Sequence, residues 1–324
     1  MKEKILELRH LQKHFHLSRN RVLKAVEDID LGIYAGETFG LVGESGCGKS
    51  TLGRTIKGIY EPTAGRVVYR GRDTAEMDRQ ERKSFLRDLQ IIFQDPYSSL
   101  NPRMTVRELI GEGLEIHGLG TRAEQRRRVF ETLELVGLNP EYVTRFAHEF
   151  SGGQRQRLAI ARALAVRPKF IVCDEPISAL DVSIQGQIVN LMKDLQRGFG
   201  LTYLFIAHDL SMVKYISDRV GVMYLGRLVE VADKGELFHN PKHPYTQALL
   251  SSIPIPDPRK ERARREIPIE GEIPSPLAHI PGCSFKTRCP FAVPRCDSME
   301  YVLQDTGNEH FVMCTRFEAV GATS

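Results

Sequence analysis

A glycine-rich stretch near the start of the chain has the residue types and spacing that suit phosphate binding. The stretch GESGCGKS (Gly43–Ser50) matches the pattern G-x-x-x-x-G-K-S/T and lies between a short apolar strand and a predicted helix. Its glycines let the backbone curl so that successive N–H groups point at phosphates, and the helix N-terminus adds partial positive charge. We expect Lys49 to reach the β- and γ-phosphates of ATP and the hydroxyl of Ser50 to ligate Mg²⁺. The nucleotide-binding residues predicted here are Gly43, Glu44, Ser45, Gly46, Cys47, Gly48, Lys49, Ser50 and Thr51.

Two adjacent carboxylates follow a second apolar run, in the stretch FIVCDEP. The run is continuous up to Cys173, as expected of a parallel strand that is buried on both faces, and Asp174 and Glu175 come directly after it. Asp174 is placed to hold the Mg²⁺ shell, and Glu175 is placed to accept a proton from an attacking water. With a phosphate loop upstream, this pair predicts nucleotide hydrolysis rather than a purely structural role.

The elements that must position these residues alternate between strands and helices over residues 1–240, which indicates an α/β fold with a mainly parallel sheet. A hairpin arm is predicted at Gly65–Gly71, and a helical subdomain is inserted at about residues 100–165. Prolines recur from 241 to 281, so this stretch is predicted to be a linker with little regular structure. Residues 282–324 are predicted to form a small module that carries four cysteines.

Composition and charge narrow the classes of function. The chain has 324 residues, of which 41% are hydrophobic and 27% charged, as is ordinary for a globular protein. Its net charge of +4 is too small to indicate nucleic-acid binding, and the one basic run, Arg259–Arg265, is interpreted as a solvated linker segment. No apolar run approaches the ~18 residues of a membrane span, and the start lacks the features of a signal peptide. We therefore expect a cytosolic location, where disulfides are rare.

Five motifs in a fixed order carry a family resemblance. The stretch FSGGQRQR contains SGGQ in front of a predicted helix, which is the signature of the ATP-binding-cassette (ABC) family. Gln94 in FQDP, Asp181 in SALD and His208 in IAHD match further motifs of that family. The resemblance covers about residues 1–240 and implies an ABC-type P-loop ATPase core with a mainly parallel sheet, an antiparallel β subdomain and an inserted helical subdomain. The SGGQ residues are Ser151, Gly152, Gly153 and Gln154.

The resemblance implies how these residues work in an ATP-driven dimer. Each ATP lies between the phosphate loop of one chain and the SGGQ segment of the other, where a helix N-terminus meets the γ-phosphate. Glu175 serves as the base, His208 contacts the γ-phosphate and orients the water, and Gln94 senses Mg²⁺ as one of its ligands. Asp181 links the two sites across the interface.

The adenine of ATP needs a stacking partner. In this family that partner is usually an aromatic residue well before the phosphate loop. Phe15 in LQKHFHL is the expected residue and His16 is the second choice, whereas packing of Phe15 in the core is the alternative.

Three further segments resemble one branch of the family. QDPYSSLNPRMTV, HNPKHPYTQALLSSIP and the closing GCSFKTRCPFAVPRC are similar to the ATPase subunits of bacterial oligopeptide and dipeptide importers, and look most like the second ATPase of oligopeptide permeases. This implies peptide import powered from the cytoplasmic face of the inner membrane. The implied partners are two membrane permease subunits that dock around Gln94–Thr105, a paralogous ATPase chain and, indirectly, an extracytoplasmic peptide-binding protein. The two ATPase chains form a heterodimer, or this chain forms a homodimer in isolation. ATPases of nickel or glutathione importers, and ABC ATPases outside transport, remain alternatives.

Four cysteines near the end of the chain predict a metal site. Cys283, Cys289, Cys296 and Cys314 are separated by five, six and seventeen residues, whereas structural zinc ligands usually come in C-x(2–4)-C pairs. A 4Fe–4S cluster tolerates wider ligand spacing, and a proline-rich module this small needs a staple to hold a fold. Peptide-importer ATPases that share this ending are associated with a 4Fe–4S cluster. The resemblance therefore implies the cluster, with Zn²⁺ as the alternative.

Overall fold

The computed structural model describes residues 3–18, 21–253, 269, 271–278 and 280–317. Its strands are β1 (Lys4–Ser18), β2 (Arg21–Tyr34), β3 (Thr38–Val42), β4 (Ala64–Tyr69), β5 (Arg72–Asp73), β6 (Leu89–Ile92), β7 (Phe170–Asp174), β8 (Thr202–Ile206), β9 (Arg219–Tyr224), β10 (Arg227–Asp233), β11 (Gln304–Asp305) and β12 (Phe311–Val312). Its α-helices are α1 (Lys49–Lys57), α2 (Arg79–Asp88), α3 (Pro96–Ser99), α4 (Val106–His117), α5 (Arg122–Leu135), α6 (Gly152–Ala165), α7 (Val182–Phe199), α8 (Leu210–Ile216), α9 (Lys234–His239) and α10 (Pro244–Ser251). Short 3₁₀ helices lie at Thr74–Glu76, Pro140–Thr144, Ala147–Glu149 and Pro294–Asp297.

The chain divides into two compact units, each built from segments that are distant in sequence. The carboxylate unit, which carries Asp174 and Glu175, contains the described residues within 1–7, 32–38 and 67–206. The phosphate-loop unit contains the described residues within 8–31, 39–66 and 207–324. None of the helices in the described part of the chain has the length and apolar character that crossing a bilayer requires.

The carboxylate unit is built on three parallel strands. β7 pairs with β6 on one side and with β8 on the other, and all five of its residues are buried, as the continuous apolar run predicts. Within the span predicted to be a helical subdomain, α4, α5 and α6 pack on one another. On α5 a capping box forms, because Thr121 and Glu124 exchange hydrogen bonds between side chain and backbone. Val129 and Leu133, on one face of this helix, are buried, as is the C-cap residue Val136.

The phosphate-loop unit places its glycine-rich loop at the end of a buried strand. β3 is buried along its whole length and runs parallel to β9, with Phe39 opposite Arg219. β10 returns antiparallel to β9, and the short β12 pairs antiparallel with β10, with Glu230 opposite Val312. The C-terminal segment that carries the cysteines thus continues the sheet that supports the phosphate loop.

Part of the predicted linker is a helix, so the expectation of little regular structure from 241 onward is wrong for Pro244–Ser251. Pro244 occupies the first turn, where its missing N–H costs nothing. Burial lowers the pKa of His243 to about 4, and its neutral Nδ1 accepts the N–H of Tyr245 at 3.1 Å as the helix cap. The helix is held in place because Tyr245 is fully buried. The basic run 259–265 lies outside the described residues.

A buried carboxylate ties the C-terminal segment to this sheet. Glu230 on β10 is fully buried and accepts the N–H groups of Lys242 at 2.6 Å and of His243 at 3.0 Å. His310, also buried, pairs with the same carboxylate at 2.7 Å between Nε2 and Oε1. One buried carboxyl group therefore joins β10, the approach to α10 and the segment that precedes β12.

We expect Glu230→Gln to lower the free energy of unfolding by about 2 kcal/mol, because the amide nitrogen cannot accept the hydrogen bonds that a carboxylate oxygen accepts and buried donors lose their partner. Urea unfolding followed by circular dichroism measures the change. Glu236→Gln is the matched control, because Glu236 is more exposed and lies 3.9 Å from the other ring nitrogen of His310. Equal urea midpoints for the two variants would contradict the anchoring role of Glu230.

Candidate active site

The predicted phosphate loop has a backbone that only glycine can adopt at two points. Gly43 and Gly48 have φ angles of 152° and 106°. A Cβ on Gly43 would lie 2.1 Å from the carbonyl oxygen of Met223, and a Cβ on Gly48 would lie 2.0 Å from that of Ala25. The loop is therefore curled and held tightly against neighbouring backbone, which is the form that directs N–H groups at phosphate.

Lys49 lies inside this curl. Its side chain is buried, and Nζ donates hydrogen bonds to the carbonyl oxygens of Gly43 at 2.7 Å and Glu44 at 3.0 Å. Ser50 and Thr51 are half-buried in the first turn of α1. These hydrogen bonds keep the charge of Lys49 at the N-terminus of α1, where the phosphates would bind.

Cys47 is a packing residue within the loop. Its thiol is buried, and burial raises the pKa of Cys47. Its carbonyl oxygen accepts the N–H of Gly226 at 2.8 Å, which ties the loop to the turn between β9 and β10. At the tip of the loop, Ser45 and Gly46 are exposed.

The carboxylate unit brings together two of the predicted catalytic residues. Gln94, at the end of β6, donates a hydrogen bond from Nε2 to Oε2 of Glu175 at 2.8 Å. Glu175 has a φ of 48°, and its N–H donates to the carbonyl oxygen of Ile206 at 3.0 Å. Asp174, the last residue of β7, is fully buried. The strand end thus presents a positioned carboxylate next to an amide group.

The SGGQ segment begins a helix, as the sequence predicts. Ser151 is the N-cap of α6, with its N–H donating to Oε1 of Gln154 at 3.0 Å. Ser151 and Gly152 are exposed, so the positive end of the helix dipole is open to an anion from outside the chain. Gly153 is half-buried, and a Cβ there would lie 2.7 Å from the side chain of Ile184 on α7.

Asp181 caps the neighbouring helix. Its carboxylate accepts the N–H of Ile184 at 3.0 Å and the hydroxyl of Ser183 at 2.7 Å. These hydrogen bonds lower the pKa of Asp181. Asp181 is exposed at the start of α7, in the same unit as the SGGQ segment.

Two further predicted residues lie in the phosphate-loop unit. His208 is exposed between β8 and α8. Phe15, on β1, is half-buried and packs edge-on against Tyr60 with ring centroids 5.3 Å apart. The Nζ of Lys13 lies 5.0 Å from the centre of the Phe15 ring. Phe15 thus belongs to a small aromatic and cationic cluster, and Tyr60 is a member that the sequence did not predict.

The four C-terminal cysteines line one cavity. Phe285 and Phe291 line it as well, so the thiols lie in largely apolar surroundings. Burial raises the pKa of Cys283 to about 12 and that of Cys289 to about 11. Both thiols therefore keep their protons at neutral pH, and a metal must displace those protons to bind.

Two residues that the sequence did not predict hold Glu44 of the phosphate loop. Arg288, next to Cys289, donates two hydrogen bonds to the Glu44 carboxylate, and the hydroxyl of Tyr245 accepts the Glu44 N–H at 2.9 Å. Both residues lie in segments that resemble peptide-importer ATPases, but nothing in those segments points to Glu44. A contact between residues 244 positions apart leaves no local pattern in one sequence.

Comparisons with known proteins agree with this geometry. The family model described as "ABC transporter" matches residues 26–178, and the model described as "Oligopeptide/dipeptide transporter, C-terminal region" matches residues 229–296. The putative oligopeptide transport ATP-binding protein YkfD of Bacillus subtilis (strain 168) is 57% identical over 96% of this chain and 94% of its own length. The oligopeptide transport ATP-binding protein OppF of the same organism is 56% identical over 98% of both chains.

Solved structures show the same fold. A dimeric post-hydrolysis state of the ATP-binding cassette MJ0796 bound to ADP and Pi superimposes with a TM-score of 0.64 at 29% identity, covering 71% of this chain and 98% of that one. CbiO1 from Clostridium perfringens, part of the ABC transporter complex CbiONQ, gives a TM-score of 0.65 at 28% identity, covering 74% of this chain and 92% of that one.

The fold and the phosphate loop define an ATPase of the ABC class. Within that class, the chain belongs to the family of oligopeptide transport ATP-binding proteins, because it shares more than half of its residues with such proteins over nearly its whole length.

We expect Gly48→Ala to weaken ATP binding at least about tenfold, because the new methyl group would collide with the Ala25 carbonyl oxygen and force the loop to shift. Gly46→Ala is the control, because Gly46 also has a positive φ but no atom lies within 4 Å of its added Cβ. Isothermal titration calorimetry with Mg-ATP measures both affinities. Equal losses in the two variants would contradict the close approach at Gly48.

Proposed function

We propose that this chain is the ATP-hydrolysing subunit that powers import of peptides through a membrane permease. The observation that carries this proposal is the phosphate loop curled around Lys49 in a chain that belongs to the oligopeptide transport ATP-binding family. The match of residues 229–296 to the oligopeptide/dipeptide transporter region supports peptides as the cargo of the complete transporter.

The site residues divide the work of ATP hydrolysis. The backbone N–H groups of the loop and the ammonium of Lys49 hold the phosphates, while Ser50, Gln94 and Asp174 would hold Mg²⁺. When bound, Mg²⁺ would neutralise charge that develops on the phosphate oxygens. Glu175 takes a proton from the attacking water, and the hydrogen bond from Gln94 keeps its carboxylate in one orientation.

The remaining residues complete the nucleotide site. His208 contacts the γ-phosphate and orients the water, and Phe15 stacks on the adenine. The exposed position of His208 and the half-exposed ring of Phe15 support these roles, because both side chains can be reached by a ligand.

The open SGGQ helix start supports a head-to-tail dimer of ATPase chains. Ser151 caps α6 but leaves the first turn exposed, so the γ-phosphate bound by a second chain can accept its N–H groups. Asp181, exposed next to this segment, links the two sites. We infer that the second chain is a paralogous ATPase, and that hydrolysis releases the dimer because it removes the phosphate that both chains contact.

The segment at residues 94–105 has the features of a docking surface for the permease subunits. Tyr97 on α3 is 66% exposed, and its ring lies over the guanidinium of the buried Arg155 at 3.5 Å. Arg162 donates a hydrogen bond to the carbonyl oxygen of Ser99 at 2.6 Å. The exposed Tyr97 ring is open to contact with a partner chain, and the two arginines hold the segment that carries it. Docking there would place the chain at the cytoplasmic face of the inner membrane, with the extracytoplasmic peptide-binding protein on the other side.

We also propose that residues 282–324 form a metal-binding module with Cys283, Cys289, Cys296 and Cys314 as ligands, following the 241–281 extension. All four cysteines line one cavity. Their wide spacing in the sequence suits a 4Fe–4S cluster better than a zinc ion held by C-x(2–4)-C pairs, and Lys286 and Arg316 at the cavity would offset the negative charge of either group.

We expect Glu175→Gln to lower the rate of ATP hydrolysis by about 10² to 10⁴, because the amide cannot accept the proton of the attacking water. ATP binding should persist, since the amide removes charge but keeps the shape. Phosphate release measures turnover, and calorimetry measures binding. Glu131→Gln, on the exposed face of α5, is the same substitution away from the site and should leave turnover unchanged. A wild-type rate of ATP hydrolysis in Glu175→Gln would contradict the assignment of Glu175 as the general base.

Anaerobic purification should yield a brown protein with about four iron and four sulfide per chain. Cys296→Ser should lose most of the iron, whereas Cys47→Ser should keep it, because Cys47 belongs to the phosphate loop. Metal and sulfide assays on the same samples give the answer. One zinc per chain would contradict the 4Fe–4S cluster and indicate a structural zinc site instead. Absence of any metal would contradict the proposed metal-binding module.

A further inference from the structure

A buried arginine of the cysteine-bearing segment holds the phosphate loop. The guanidinium of Arg288 donates from one terminal nitrogen to Oε2 of Glu44 at 2.8 Å and from the other to Oε1 at 3.1 Å. The Arg288 side chain is only 7% exposed and that of Glu44 21%. A bidentate arginine–carboxylate pair fixes orientation as well as distance. The loop residue next to Gly43 is thus fixed from outside the loop.

The backbone of the same loop residue is held by Tyr245. Its hydroxyl accepts the N–H of Glu44 at 2.9 Å. The Tyr245 ring packs against Tyr224 with centroids 4.7 Å apart and against Phe285 with centroids 5.3 Å apart. Phe285 lies two residues after Cys283, so the side chain and the backbone of Glu44 both depend on the segment that carries the cysteines.

The cavity lined by the cysteines adjoins these holding residues. Phe285 is part of the cavity wall, as are His243 and Pro244 at the start of the helix that carries Tyr245. Arg288 directly precedes the proposed ligand Cys289. Ligation at Cys283 and Cys289 would fix both ends of the short segment that contains Phe285 and Arg288. Without a metal no bond links the four cysteines, which form no disulfides.

Charge makes this contact matter for nucleotide binding. Glu44 places a carboxylate in the loop that would bind a triphosphate. A negatively charged carboxylate in this loop would repel the negatively charged phosphates. Arg288 neutralises that carboxylate, because an arginine keeps its proton at every accessible pH. Loss of the pair would leave a negative charge next to the phosphates and would free the Glu44 side chain.

We propose that the four-cysteine site controls the affinity of the phosphate loop for nucleotide, with Arg288 and Tyr245 as the positioning residues that connect the two. When the cysteines hold their metal, Arg288 and Tyr245 keep the loop in its phosphate-binding form. When the metal is lost, the pair with Glu44 loosens and ATP binds more weakly. This inference rests on the proposed nucleotide site and on the proposed metal module.

The test measures equilibrium binding of a fluorescent ATP analogue to the full chain, with Arg288→Ala and Cys296→Ser made separately and together. We expect each single change to weaken binding about tenfold, and the double variant to lose little more, because both changes break the same connection. Iron content of Arg288→Ala should match that of the wild type. Arg295→Ala, an exposed arginine of the same segment, is the matched control and should bind normally.

A second measurement separates positioning from general damage to the fold. Glu44→Gln combined with Arg288→Ala should recover much of the lost affinity, because no unpaired carboxylate then faces the phosphates. Arg288→Lys should recover part of it, since lysine restores the charge but not the bidentate geometry. Tyr245→Phe keeps the ring but removes the acceptor, and should increase hydrogen exchange of the Glu44 amide.

Each outcome has one meaning. Normal nucleotide binding by iron-replete Arg288→Ala, fully additive losses in the double variant, or no recovery by Glu44→Gln would overturn the proposed connection while leaving the ATPase assignment intact. Absence of metal from the wild-type chain would also overturn the proposed connection, because the connection requires a metal bound by the four cysteines. Failure of the wild type to bind the analogue at all would instead contradict the nucleotide site.

Discussion

The proposed nucleotide site of this chain depends on a loop that must stay curled at the end of a buried strand. Glycine alone allows the approach of Gly43 to the Met223 carbonyl oxygen and of Gly48 to that of Ala25. The groups that we propose bind phosphate are backbone N–H groups, so no side chain can substitute for the correct curl. Surrounding strands must therefore supply the rigidity that the glycines lack. One of them is β9, which contains Met223 and pairs parallel with β3.

The C-terminal segment extends that support rather than standing apart from it. β12 pairs with β10, and the buried Glu230 carboxylate joins β10 to His310. From this anchored position the segment reaches the loop through Arg288. The region that matches the oligopeptide/dipeptide transporter C-terminal model thus contacts the loop that we propose binds ATP. The metal module that we propose in this region would act on the ATPase without touching the nucleotide.

Short sequence patterns predicted the features that depend on interactions between neighbouring residues. The phosphate loop, the buried β7 strand, the capping box at Thr121 and the SGGQ helix start were all predictable from short stretches, because each is decided by neighbours within a few residues. Helix α10 was missed because prolines suggested a linker, whereas its stability comes from burial of Tyr245. The contact of Arg288 with Glu44 was also missed, because long-range pairs leave no periodicity in a single sequence. The metal itself stays a prediction that the cavity supports.

The most direct test of the account is calorimetric titration of Mg-ATP into the wild-type chain and into Lys49→Ala. Lys49 lies inside the curl of the loop, and charged hydrogen bonds of its kind contribute about 1.5–3 kcal/mol. We therefore predict that the variant binds ATP about ten- to a hundredfold more weakly while keeping the same fold by circular dichroism. Equal affinities would contradict the claim that this loop is the ATP site.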